Sequence, residues 1–148
     1  MPGGPLEPDR AARLLVVTDH TGTTPELIDA MTRRAALGAV QFRILVPNPA
    51  RAEMHLVHPE RHDKAEAAER VLLEALPAFE AAAGGRIHAS VSIRHDPFEA
   101  VEELMLSEPV DEILLSISAH EAHRWLHPDL EHRLQRLGVP VQKVTAST

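Results

Sequence analysis

The first apolar run of the chain and the turn after it read Leu14-Leu15-Val16-Val17-Thr18-Asp19-His20-Thr21-Gly22-Thr23-Thr24-Pro25. The run is short and aliphatic, which predicts a buried strand that ends near Thr18. Thr24 is a good N-cap residue, and its position before Pro25 is typical of a helix that begins at the proline. In an open parallel sheet, small ligands bind at the carboxyl ends of the strands. Asp19 stands at such an end and is therefore the first candidate for a ligand contact.

The composition is that of one domain with an aliphatic core. The chain has 148 residues, of which 44% are hydrophobic and only 3% aromatic, and it contains neither tyrosine nor cysteine. A chain of this length can bury a sizeable core, so we expect a single domain over residues 12–148 and a flexible N-terminal tail over residues 1–11. The lack of cysteine excludes disulfides, thiolate metal sites and a cysteine nucleophile.

The charge and the first residues indicate which partners to expect. The formal net charge is −7, from 15 basic and 22 acidic residues. A nucleic-acid-binding surface needs an excess of positive charge, so we predict no nucleic-acid partner, although backbone N–H groups can still hold a small phosphate. Residues 1–8 lack the pattern of a signal peptide, and no segment approaches the roughly 18 apolar residues of a membrane span. We therefore predict a cytoplasmic protein without membrane contact.

Strand-like and helical patterns alternate along the chain. The strand-like runs are 13–18, 40–47, 87–94, 112–116 and 139–144, and the helical patterns start at Pro25, span 61–83, start at Pro97 and span 128–137. This alternation predicts an α/β fold with right-handed crossovers, an open parallel five-stranded sheet and helices on both of its faces. The third run alternates strictly, as in a strand near an edge, and Pro140 favours an edge position for the fifth.

Four segments together resemble the universal stress protein family. The strand-one ending Val16-Val17-Thr18-Asp19-His20-Thr21 stands where the family has Val-Asp-x-Ser/Thr. The segment His95-Asp96-Pro97-Phe98-Glu99-Ala100-Val101 is similar to Gly-Asp-Pro-x-x-Ala-Ile, and Val110-Asp111-Glu112-Ile113-Leu114-Leu115-Ser116 is similar to Ala-Asp-x-Ile-Val-Met-Gly. Gly138-Val139-Pro140-Val141 resembles the closing strand of the family. The resemblance covers roughly Ala12 to Thr145 and implies a flavodoxin-like sheet, also described as adenine nucleotide alpha hydrolase-like, with strand order 3-2-1-4-5.

The resemblance also implies a ligand site, but one element of it is missing. In nucleotide-binding members, the strand-one aspartate meets the adenosine, and a Gly-x2-Gly-x9-Gly-Ser/Thr loop after strand four wraps the phosphates. Asp19 matches the first element, whereas the chain has no glycine between Ser116 and Leu137. The residues that we expect to contact a ligand are Asp19, Thr21, Gly22, Thr23, Ser116, Ser118 and Arg124. The family resemblance further implies a homodimer through the fifth strand.

Each of these candidates has a simpler structural interpretation. Asp19 can be a turn or cap residue, and the Thr21–Thr24 turn can serve only to start the helix. Ser116 and Ser118 can satisfy strand-end carbonyls instead of facing a ligand. The sequence has no Gly-x-Ser-x-Gly elbow, so it gives no support to a serine hydrolase.

Two histidine sets share the spacing H-x2-H-x3-H, which would place three imidazoles on one face of a helix. They are His55, His58 and His62, and His120, His123 and His127. Imidazoles suit zinc, copper or nickel. Pro59 and Pro128 interrupt both segments, however, and favour loops with solvated histidines, so we predict no metal site.

We expect a protein that binds a small ligand, such as ATP or another adenine nucleotide, without catalysing a reaction; no cofactor is certain. One alternative is a dimeric interaction module without a ligand, whose crevice is filled by His120, Trp125 and Leu126. Another is a histidine-based enzyme or metal-binding protein, which would require His20, His120 and Asp19 to converge on one point.

Overall fold

The computed structural model describes residues 11–19, 22–47, 60–94, 96–119 and 130–146, and only the backbone of residues 60–65. The expected tail therefore lies outside the described residues except at its last position. The strands are β1 (Ala12–Thr18), β2 (Val40–Val46), β3 (His88–Val91), β4 (Glu112–Ser118) and β5 (Val141–Ala146). The helices are α1 (Pro25–Leu37), α2 (Glu60–Ala83), α3 (Pro97–Met105) and α4 (Leu130–Gln135).

The five strands form one parallel sheet in the order β3-β2-β1-β4-β5, which confirms the predicted fold class and strand order. β1 lies in the centre, between β2 and β4. The connection from β1 leads to β2 on one side of the sheet, whereas the connection from β4 leads to β5 on the other. The carboxyl ends of β1 and β4 therefore form the switch point at which ligands bind in open α/β sheets.

Alternate side chains of the central strands supply two separate cores. Val16 and Ile44 belong to the core on the face covered by α1 and α2, where Met31 and Phe79 are fully buried. The core on the other face consists of side chains from the intervening strand positions and from α3 and α4; it includes Leu15, Val17, Leu115, Val101 and Leu134. Burial on both faces explains why β1 and β4 have continuous apolar runs.

Two helices start as their local sequence predicts. Thr24 has extended backbone angles, and its hydroxyl oxygen accepts the backbone N–H of Leu27 at 3.3 Å, with Pro25 as the first helical residue. Asp96 caps α3 in the same way, because its carboxylate accepts the N–H of Glu99 at 3.0 Å. Both caps are short-range motifs, and the predicted helix starts at Pro25 and Pro97 are correct.

Three strands differ from their predicted bounds by more than one residue. β3 is shorter than expected because its ladder with β2 ends where the N–H of Ser92 bonds to the carbonyl of Val46 at 2.7 Å. β5 starts after Pro140, which lacks an N–H but whose carbonyl accepts the N–H of Ile113 at 2.9 Å. β4 continues two residues beyond its predicted end, to Ser118. The hydroxyl of Ser118 thus lies within this strand and not after it.

None of the described helices is long and apolar enough to cross a membrane.

Candidate functional site

Asp19 and Ser118 join the carboxyl ends of the two central strands. The backbone N–H of Ser118 donates to both carboxylate oxygens of Asp19, at 3.1 Å each, and the Ser118 hydroxyl donates to Oδ2 at 2.6 Å. The N–H of Asp19 in turn donates to the carbonyl of Ser116 at 3.3 Å. We call the pair of Asp19 and Ser118 the carboxyl-edge clamp. Short hydrogen bonds to an ionised carboxylate are stronger than neutral ones, so the clamp fixes the aspartate side chain at the switch point.

The strand register brings the two residues of the clamp together. Thr18 lies opposite Ser116, and Asp19 follows immediately where β1 ends, while β4 continues to Ser118. Asp19 is half-buried, whereas Ser118 is fully buried. The carboxylate thus has one side bonded to the protein and keeps part of its surface exposed to solvent.

A layer of buried hydroxyl groups lies below this edge. Thr18, Ser116 and Ser118 are all fully buried and occupy alternate positions on β1 and β4. Strand alternation places them on the same face as Val16 and Leu114, which belong to the core beneath α1 and α2. The hydroxyl of Ser116 has no hydrogen-bond partner among the described residues. Burying a hydroxyl without a partner is costly, so this group has unused hydrogen-bonding capacity next to the switch point.

The described part of the turn between β1 and α1 starts the helix. Thr24 is buried and caps the helix, Thr23 is exposed and Gly22 is half-buried. A Cβ added at Gly22 would meet no atom within 4 Å, so a close approach of the protein to itself does not require a glycine there. Thr21 lies outside the described residues.

The remaining predicted ligand contact, Arg124, also lies outside the described residues, as do His20 and Trp125. The side chains of both histidine sets are outside them too. Within the part of the chain whose side chains are described, no group of three or more histidine or acidic residues is arranged to hold a metal ion.

A second aspartate, which we did not single out from the sequence, joins the same two strands at their amino ends. The N–H of Arg13 donates to Oδ2 of Asp111 at 2.8 Å, and the N–H of Asp111 donates to the carbonyl of Arg13 at 2.8 Å. We call this pair the amino-edge clamp. The motif Val110–Ser116, quoted above for its family resemblance, contained this residue, but its role depends on a partner 98 residues away.

An ion pair beside the amino-edge clamp ties α1 to β4. Arg34 Nε donates to Glu112 Oε1 at 3.0 Å, and Arg34 Nη2 donates to Oε2 at 2.7 Å. This hydrogen bonding raises the pKa of the Arg34 guanidinium; burial opposes the effect, and the negative charge of Glu112 adds to it. The amino edge is thus held by intramolecular pairs. The carboxyl edge is the candidate ligand site because it contains the switch point of the sheet.

Comparison with known proteins supports the fold. Among solved structures, the chain is similar to a universal stress protein from Archaeoglobus fulgidus, at 12% identity over 90% of this chain and 94% of that chain, with a TM-score of 0.57. No protein-family model matches the chain, and no curated protein matches it significantly. At this identity the likeness shows the fold alone. The resemblance expected from the sequence motifs is therefore confirmed as a relationship of fold to a universal stress protein.

Proposed function

We propose that this is a non-catalytic cytoplasmic protein that binds a small polar ligand at the carboxyl ends of β1 and β4. Adenine nucleosides and nucleotides are the ligand class to test first. The observation that carries the proposal is the half-buried carboxylate of Asp19, fixed at the switch point of a sheet that has the fold of a universal stress protein. In this architecture, a polar group at that position is where ligand contacts are found.

The hydrogen bonding of Asp19 is compatible with a ligand. An ionised carboxylate can accept about four hydrogen bonds, and it can donate none. Ser118 supplies two donors, its N–H and its hydroxyl, and Asp19 is only half-buried, so a donor of a ligand can approach the exposed part of its carboxylate. The hydroxyl groups of a ribose are donors of the right kind.

The proposal assigns recognition to the nucleoside part of the ligand. The chain lacks the glycine-rich phosphate loop, since no glycine occurs from Ser116 to Leu137. Without backbone groups that can closely approach a phosphate, the triphosphate adds little affinity. We therefore expect adenosine and ATP to bind with similar affinity.

A specific observation favours a second candidate, the interaction module without a ligand. Ser118 already occupies both oxygens of Asp19, so the clamp can serve the fold alone. In either case we propose a homodimer through β5, because β5 is an edge strand of the described sheet and an edge gains from pairing. Sedimentation velocity over a range of concentrations tests the dimer; a monomer at the highest concentration contradicts it.

Calorimetric titration with adenosine, and with ATP and Mg²⁺, tests the ligand proposal. The key variant is Asp19→Asn, and Asp111→Asn is its matched control, because both aspartates join β1 to β4 but at opposite ends. We expect Asp19→Asn to lose binding and Asp111→Asn to keep it. Saturation at about 100 times Kd should also stabilise the wild type by roughly 2.7 kcal/mol in a thermal unfolding experiment. No binding of either ligand at millimolar concentration would contradict the proposal and favour the interaction module.

A further inference from the structure

A cavity of about 200 Å³ lies between the β2–β3 edge of the sheet and α3. We call it the flank cavity. Its polar lining consists of Arg43, Ser90, Ser92, Glu103, Ser107 and Glu108, and none of its lining residues belongs to β1 or β4. It is therefore a different place from the switch point, and an inference about it does not depend on the proposed function.

The topology explains why this cavity is polar. Ala89 and Val91 of β3 pack against the core beneath α1 and α2, so strand alternation turns His88 and Ser90 towards the opposite face. The core on that opposite face contains residues of β1, β2 and β4 but, among the described residues, none of β3. The crossover through α3 thus covers the centre of the sheet and leaves β3 outside the apolar core of this face, as far as the described residues show.

Charged groups of both signs line the flank cavity and keep unused hydrogen-bonding capacity. Arg43 Nε donates to Glu108 Oε1 at 3.1 Å, and a second guanidinium nitrogen makes only a 3.5 Å contact with the carbonyl of Ile44. Glu103 Oε2 lies 3.4 Å from Arg94 Nε. The side chain of Arg43 is only 24% exposed, so its charge is less screened than that of a fully exposed arginine.

The combination of charges narrows the ligand class. A simple anion would meet the carboxylates of Glu103 and Glu108, and a simple cation would meet the guanidinium of Arg43. A zwitterion pairs with both signs at once. The volume is below the roughly 300–1,000 Å³ of sites for drug-sized ligands, so the ligand has few heavy atoms.

We propose that the flank cavity binds a small zwitterion of the α-amino acid class. Arg43 takes the carboxylate, since a guanidinium binds carboxylates with geometric specificity. The ammonium group binds Glu103 Oε1 and Glu108 Oε2, the oxygens outside the ion pairs of these glutamates with Arg94 and Arg43. The hydroxyls of Ser90 and Ser92 border the remainder of the ligand. Leu45 and Leu104 provide an apolar wall that suits a short aliphatic side chain.

Titration of the whole ¹⁵N-labelled protein with glycine, alanine and serine, followed by NMR, tests the proposal. We expect saturable shifts of the backbone amides of Ser90 and Ser92. Arg43→Met removes the charge but keeps the length of the side chain, and it should weaken binding at least about tenfold. Arg34→Met is the matched control, because Arg34 also pairs with a glutamate but does not line the cavity, and it should bind as the wild type does.

Acetate and methylammonium, titrated separately, are the decisive competitors. Acetate carries only the carboxylate and methylammonium only the ammonium group of an amino acid, so each should bind much more weakly than the amino acids. Acetate binding as tightly as glycine would make the cavity an anion site, and methylammonium binding as tightly would make it a cation site; either result overturns the proposal. Absence of saturable shifts with millimolar amino acids, or equal binding by Arg43→Met, overturns it as well.

Discussion

A double-mutant cycle across the carboxyl-edge clamp should reveal strong coupling between Asp19 and Ser118. Ser118→Ala removes the hydroxyl that donates to Asp19 Oδ2 at 2.6 Å. A hydrogen bond to a charged group contributes roughly 1.5–3 kcal/mol, so we expect a loss of about 1.5 kcal/mol. Asp19→Ala leaves both the N–H and the hydroxyl of a fully buried serine without their acceptor, which should cost about 3 kcal/mol.

The double variant should be no less stable than Asp19→Ala alone. Once the acceptor is gone, the buried hydroxyl is unsatisfied, so removing it costs about 0 kcal/mol or relieves part of that penalty. The coupling is then at least about 1.5 kcal/mol, well above the roughly 0.3–0.5 kcal/mol within which independent sites add. Urea unfolding monitored by circular dichroism measures all four free energies of unfolding, provided that the m-value stays constant.

The amino-edge clamp supplies the control cycle. Asp111 and Ser118 lie at opposite ends of β4, about 23 Å apart in an extended strand. Asp111→Ala and Ser118→Ala should therefore add independently. If Asp19→Ala and Ser118→Ala were also additive, the hydrogen bonds between them would not stabilise the fold, and our reasoning about the carboxyl edge would be refuted.

Three further predictions concern the scaffold around the two edges. Arg34→Met should destabilise the protein by about 1–2 kcal/mol, because it breaks a partly buried bidentate pair with Glu112. That pair raises the pKa of Arg34, so the stability that it contributes is fully present below the ordinary pKa of arginine and is lost only in strong alkali. Urea unfolding at about pH 6 and at about pH 9 should therefore show the same difference in stability between the wild type and Arg34→Met. Gly84→Ala should cost about 1 kcal/mol in thermal unfolding because Gly84 has a φ of 79°, whereas Gly85→Ala, without positive φ, should cost much less. Thr24→Ala should cost about 1 kcal/mol of stability through the lost cap of α1, while Thr24→Ser, which keeps the hydroxyl, should cost little; equal losses would show that the hydroxyl is not what caps the helix.

The sequence predicted those features that depend on neighbouring residues. The continuous apolar runs of β1 and β4 indicated central strands because a parallel sheet buries both of its faces. Thr24 indicated a helix start because a cap needs only the next few residues. These local patterns predicted the elements and a parallel sheet, whereas the strand order was implied by the resemblance to the universal stress protein family.

What the sequence did not predict depends on residues far apart in the chain. Ser116 and Ser118 interrupt an apolar pattern, so β4 was expected to end two residues too early. Both serines are nonetheless buried in the strand. The hydroxyl of Ser118 donates to Asp19, which lies 99 residues away in the sequence. Arg133 lies in a charged helical segment, and nothing in its sequence neighbourhood indicates that its guanidinium lies 4.1 Å from the centre of the Phe98 ring. In both cases, the partner that accounts for the residue lies on another element, and periodicity cannot identify such a partner.

The carboxyl-edge clamp also determines how stability and ligand binding are linked. A ligand donor can add to the bonds that Ser118 makes with Asp19, or it can replace the serine hydroxyl on Oδ2. In the first case, Ser118→Ala loses stability and gains no affinity, because the carboxylate is less firmly held. In the second case, the same variant loses stability but binds more tightly, because the ligand no longer displaces an existing hydrogen bond. The loss of stability is common to both cases. Only the affinity of Ser118→Ala for the ligand therefore shows whether Ser118 positions the aspartate for the ligand or competes with the ligand for the carboxylate.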